Sequence, residues 1–309
     1  MPQLLLHHYP GSPFSEKVRA ILGFKGLQWT SVLIPTIMPK PDVTALTGGY
    51  RKTPLLQLGA DIYCDTALIA DVLERLAPTP TLYPQESAGL TRILAQWADS
   101  TLFWTVIPYT FQPAGLQNLF KGLSPEQLKA FQEDRTAFRG KAQGMGSQEA
   151  SGALAQHLER LNHLLADGRP WLLGQAASLA DFSVFHCLWF LRQARLTSLV
   201  EPLAPLNAWV DRVQALGHGT SDLLPGAQAV ELAASSTPAS TDAEPFLPLQ
   251  GLERGARVAI SATDYGVDPV EGELVLSRPN ELAVRRTDAR AGEVVVHFPR
   301  LGFQAKKVG

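Results

Sequence analysis

The chain has 309 residues, 45% of them hydrophobic and 18% charged, and a net charge of −2. That length points to about two or three domains, and the apolar content excludes a disordered chain. The near balance of charge leaves no global field to attract nucleic acid or an anionic membrane. Two cysteines, Cys64 and Cys187, exclude a disulfide framework. The start has no basic stretch, and its apolar run covers only residues 4–6, so it does not read as a secretion signal. A cytoplasmic location is expected.

The first eighty residues alternate strand and helix signals. Residues 3–8 form a short apolar run ended by Tyr9-Pro10-Gly11, a strand and a turn. Ser12-Pro13 then opens a helix, Ser as N-cap and Pro at the first helical position, with Val18, Ile21 and Leu22 at helical spacing. Further strands are expected at 29–34, 53–58 and 61–63, the last two joined by a turn at Gly59-Ala60. Residues 35–50 leave room for one short helix. Asp65-Thr66 caps another helix, with Leu68, Ile69, Val72, Leu73 and Leu76 on one face and Pro78 as its stop.

From residue 87 to about 216 the pattern changes to long helices. Leu90, Ile93, Leu94, Trp97, Thr101 and Trp104 make one apolar stripe, and residues 155–165 carry another. Ser178-Leu179-Ala180-Asp181 is a capping box, assigned to folding. Residues 226–248 lack Lys and Arg and are rich in Ala, Ser, Thr and Pro, the composition of a flexible linker. Beyond it Val258 and Ile260, Leu274 and Leu276, and Leu282 and Val284 alternate with polar residues, and 294–298 forms a further strand. Short strands with turns between them suggest a small SH3-like antiparallel barrel over 249–309. It carries nine Lys and Arg against eight Asp and Glu, so it is no polyanion trap. A packing or oligomer-stabilising appendage is the plainest reading.

Four motifs in order carry a resemblance: Ser12-Pro13-Phe14-Ser15 at the first strand-to-helix turn, Lys52-Thr53-Pro54-Leu55-Leu56, Asp65-Thr66, and Ser178-Leu179-Ala180-Asp181. Over residues 3–216 the chain resembles the cytosolic glutathione transferases, and its first motif is similar to the serine-type tau and zeta classes. The resemblance implies an α+β multidomain fold. Residues 1–82 would be a thioredoxin-like glutathione-binding domain and 87–225 an all-helical domain. The linker 226–248 and the β-barrel 249–309 lie beyond what the family explains.

The resemblance also implies roles. Thioredoxin-type dithiol chemistry needs two cysteines where this chain has Ser12 and Ser15, so redox exchange is not expected. A Ser hydroxyl at a helix N-terminus would instead stabilise a bound thiolate. Lowering a thiol pKa by about two units takes about 2.7 kcal/mol, within reach of one charge-assisted hydrogen bond and a helix end. Ser12 is the catalytic candidate and Ser15 the reserve. Pro54 would follow a cis bond, Thr53 would pair its backbone with the cysteinyl unit, and Lys52 would meet the glycyl carboxylate. Asp65 and Thr66 would hold the γ-glutamyl end. Ser12, Asp65 and Thr66 also read as plain helix caps, and Lys52 as a surface lysine. Phe103, Trp104, Tyr109 and Phe111 are candidates for the wall of an electrophile pocket between the domains. Glutathione as co-substrate, a small hydrophobic electrophile and a homodimer follow from the resemblance, with no metal. The alternative is a non-catalytic transferase-like scaffold or regulatory protein whose C-terminal β module binds a partner.

Overall fold

The computed structural model describes residues 2–140, 144–248 and 251–308. The outermost residues of the expected barrel range, 249–250 and 309, therefore lie outside it. The N-terminal part runs β1 (Leu5–His8), α1 (Pro13–Phe24), β2 (Gln28–Leu33), α2 (Pro41–Thr47), β3 (Leu55–Leu58), β4 (Asp61–Cys64) and α3 (Thr66–Leu76). β1 pairs with β2 in parallel and with β3 antiparallel, and β3 pairs antiparallel with β4. The periodicities predict the order β-α-β-loop-β-β-α, and the short helix for which 35–50 leaves room is α2. Its β1 is fully buried, as a central strand covered on both faces must be.

The helical part comprises α4 (Ala88–Trp97), α5 (Phe103–Thr110), α6 (Pro113–Leu119), α7 (Pro125–Arg139), α8 (Ser147–Leu164), α9 (Leu179–Gln193) and α10 (Ala204–Gln214). A π-helical segment at Ala98–Leu102 joins α4 to α5. Helix α9 is buried on nearly every side and packs on α1, α4 and α10. The Ser178–Asp181 box does more than cap it. Asp181 also accepts from Leu172 N and from the indole N–H of the fully buried Trp209, at 2.9 Å each. The stripe read along α4 is corrected. Leu90 and Ile93 are 55% and 67% exposed, and the buried face is Thr91, Ala95, Ala98 and Leu102. Small residues with modest apolar content made that face inconspicuous in sequence.

After α10 the chain returns to the sheet. β5 (Thr220–Leu223) adds in parallel to β2. A Cβ on Gly23 would stand 2.1 Å from Gly217 O, so only glycine lets α1 and the returning chain approach so closely. Next, α11 (Gly226–Ala234) lies where a linker was expected. Ala229, Val230 and Ala233 are buried, and Ala229 O accepts from Gln57 at 2.8 Å. Alanine is the strongest helix former, and its small size suits a tight layer, so the composition that suggests a tether also suits a packed helix. The irregular stretch that follows is also held, with Ala239 N donating to Asp61 at 2.8 Å.

The last five strands are β6 (Arg257–Ala262), β7 (Val270–Ser277), β8 (Glu281–Asp288), β9 (Gly292–Pro299) and β10 (Phe303–Lys307). They are antiparallel in the order β10-β6-β7-β8-β9. The expected closed barrel does not form. The free edge of β9 pairs in parallel with β4, placing Ile62 opposite Val296 and Tyr63 opposite His297. With that edge occupied the ribbon stays open and joins a sheet of ten strands among the described residues. The sheet separates two cores. On one side α1 and α3 pack with the helical part, and on the other α2 and α11 pack with the C-terminal strands.

Candidate functional site

The β1–α1 turn is built to stay fixed. Ser12 is the N-cap of α1, with its Oγ accepting from Ser15 N at 3.2 Å. Pro13 occupies the first turn, where no N–H is required. Arg19 reaches back from α1 and donates to Pro10 O at 2.9 Å and to Glu16 at 2.7 Å. Ser12 is only 3% exposed, yet it lines a cavity of about 790 Å³ between the N-terminal and helical parts. Ser15 is fully buried, off the cavity wall, and its Oγ has no hydrogen-bond partner among the described residues.

Two more segments meet Ser12 there. The Thr53–Pro54 peptide is cis, and Lys52, Thr53 and Pro54 all line the cavity. Asp65 and Thr66, at the start of α3, line it too. Asp65 has φ 74°, a left-handed conformation that non-glycine residues adopt at a cost of roughly 1–3 kcal/mol. Its carboxylate accepts from Ala67 N at 2.9 Å, and burial pushes its pKa up. The six site residues expected from sequence therefore converge on one cavity from three separated segments. Of the aromatic candidates Phe103, Trp104 and Phe111 form wall, whereas Tyr109 turns into the core.

A polar cluster that sequence reading missed runs from the cavity wall, where Asp99 and Thr66 lie, to Lys17 and His186 behind it. Lys17, wholly buried on α1, donates to Thr66 Oγ1 at 3.0 Å and to Asp99 at 2.5 Å. His186 Nε2 stands 3.1 Å from the other Asp99 oxygen. Burial alone would raise the Asp99 carboxyl, but Lys17 and His186 outweigh it and hold it below the usual carboxylate range. Asp99 sits in the π-helical segment, a distortion that often accompanies functional side chains. Lys17 lies four residues before Ile21, on the face that periodicity assigns to the core, and that was its one signal. Lys40 is also 4% exposed, with Nζ 3.4 Å from Thr53 Oγ1. Burial and the nearby Arg135 lower its pKa to about 8.

The C-terminal strands also enter the site. Asp264 and Tyr265, in the β6–β7 loop, line the cavity. Asp264 accepts from Lys52 Nζ at 2.6 Å, and that ammonium lies 4.0 Å from the centre of the Tyr265 ring. No local sequence signal marks this pair. Cys64 and Cys187 are fully buried, and burial pushes both thiols well above their ordinary pKa, which makes them inert. Among the described residues no group of three His, Cys, Asp or Glu is placed to hold a metal ion, and no helix is long and apolar enough to cross a membrane.

Comparison with known proteins supports the family and the fold. Residues 6–81 match the glutathione S-transferase N-terminal domain and 145–212 the glutathione S-transferase C-terminal domain. The crystal structure of a GST-like protein from Pseudomonas syringae is 44% identical, with a TM-score of 0.84 and full coverage of both chains. FtsZ-localized protein A of Caulobacter vibrioides is 28% identical over 184 residues, 58% of this chain and 72% of that protein. A glutathione S-transferase from Rhodospirillum rubrum F11, 21% identical, shares the fold with a TM-score of 0.52, over 69% of this chain and 88% of its own. The chain belongs to the glutathione S-transferase family.

Proposed function

We propose that this protein binds glutathione and conjugates its thiolate to a small hydrophobic electrophile, with Ser12 stabilising the thiolate. The observation that carries the reading is the convergence of Ser12, Thr53-Pro54 and Asp65-Thr66 on one cavity walled by Phe103, Trp104 and Phe111. The start of α1 supplies positive dipole and a hydroxyl where a thiolate would sit. Thr53 offers backbone to the cysteinyl unit, Lys52 a cation to the glycyl carboxylate, and Asp65 and Thr66 a carboxylate and a hydroxyl to the γ-glutamyl amine and carboxylate. A thiolate so held attacks the electrophile, forming a C–S bond as the leaving group or the electrons of a double bond depart. This serine-type enzyme acts in the cytoplasm as a homodimer.

Calorimetric titration with reduced glutathione tests binding, and a conjugation assay tests turnover. Ser12→Ala should lower kcat at least tenfold while changing glutathione affinity less than threefold; unchanged turnover removes Ser12 from the mechanism. A second reading, a non-catalytic scaffold or regulatory protein whose C-terminal strands bind a partner, is favoured by the relative whose name records localisation with FtsZ rather than a reaction. Absence of glutathione binding by the folded protein would select it.

A further inference from the structure

The Lys52–Asp264 ion pair places a carboxylate of the C-terminal strands on the cation proposed to receive the glycyl end of glutathione. The loop that delivers it is anchored on both sides. Tyr265 packs edge-on against Trp104 at 4.9 Å and against Phe138 at 5.2 Å. Gly266 N donates to Phe138 O at 2.9 Å, and its φ of 57° and the Phe138 ring, 2.4 Å from any added Cβ, reserve the position for glycine. Thr263 N donates to Gly302 O at 3.0 Å. Asp264 is 51% exposed, so packing does not force it onto Lys52; the ion pair and the anchored neighbours hold it there.

Of the neighbouring cations, Arg51 and Arg135 line the cavity and share the one carboxylate of Asp134, at 2.7 and 3.8 Å, while Lys40 lies behind Thr53, off the cavity wall. A glycyl carboxylate arriving at Lys52 would meet Asp264, and two carboxylates in one place repel. An uncharged end would leave the ion pair intact and pack on the Tyr265 ring.

Resting on the glutathione reading above, we infer that Asp264 is a specificity residue and that the site takes γ-glutamyl-cysteinyl thiols whose C-terminal end is uncharged in preference to glutathione. The C-terminal strands are then part of the co-substrate site.

The test is titration calorimetry of the full chain with glutathione and with its glycyl monoethyl ester, on the wild type, Asp264→Asn and Asp264→Ser. The wild type should bind the ester at least threefold more tightly. Both variants should bind glutathione about tenfold more tightly than the wild type, with ester affinity within threefold. Two substitutions of different size that keep the wild-type melting temperature separate charge from folding. Tighter binding of glutathione than of the ester by the wild type, or equal weakening of both thiols in the variants, overturns the inference while leaving the glutathione reading standing. Failure of both thiols to bind the wild type overturns the two together.

Discussion

Lys17 has no exposed surface, and its ammonium is held by Asp99 and Thr66. A buried ion pair is weak evidence for stability, because desolvation offsets much of the attraction, but removing one partner strands the other. Lys17→Met should therefore destabilise the fold by about 3 kcal/mol, and adding Asp99→Asn should recover part of that loss. Urea unfolding of the two variants measures it, and a double variant no more stable than Lys17→Met would show that the pair does not act as a unit. The cluster also supports Thr66, so its role reaches the cavity. At this scale the sequence was informative where a residue's job is local. Ser12 before Pro13 and Asp65 before Thr66 announce caps, and both caps line the cavity. Asp99 was silent, and Lys17 showed only its place on the core face of α1, because the meaning of each lies in a partner 82 residues away.

Helix α4 presents Leu90 and Ile93 to solvent while burying Thr91 and Ala95. An apolar pair on an exposed helix face has a use if a second copy covers it. Ile93→Arg should convert a dimer to a monomer in sedimentation without lowering monomer stability, since the side chain has no core contact to lose. A wild type that sediments as a monomer sinks the proposal. Elements were legible in proportion to their periodicity. The β-α-β start and the alternating strands 258–298 could be read because side-chain direction repeats every two residues in a strand. Helix α11 could not, since its alanines fit a packed layer and a loose tether equally well. The closure of the last strands was also beyond reach, because alternation says which face is buried and nothing about which edge is taken.

The two halves of the sheet meet at β4 and β9, and a charged cluster is buried in that seam. His297 lies 3.1 Å from Asp61 and 2.8 Å from Glu281 and stacks on Tyr63 at 4.3 Å. Burial by itself would lower the imidazole pKa, but the bonds to Asp61 and Glu281 outweigh it and hold His297 above its ordinary 6.5. Its contribution is complete below 6.5 and is lost as pH rises through the folded-state value. Burial would raise Glu281, but His297 outweighs it, so that contribution is present above the ordinary 4.5 and is lost on acidification. The seam is therefore strongest between pH 4.5 and 6.5. His297→Gln should lower the melting temperature more at pH 6 than at pH 8.5; equal losses at both would show that the ring serves by packing alone.

The seam also governs the timing of synthesis. β4 ends at Cys64, yet the strand that covers its edge ends at Pro299. At about 5–20 residues per second, the ribosome takes roughly 10–50 s to make the intervening chain. Throughout that interval the nascent N-terminal part carries an unpaired strand edge and, beside α2, an apolar face bearing Leu55 and Ile62 that the last strands have yet to cover. Such an edge is a template for wrong pairing. Yield in the cell should thus depend on how quickly translation reaches the last strands, and on holding chaperones in the meantime.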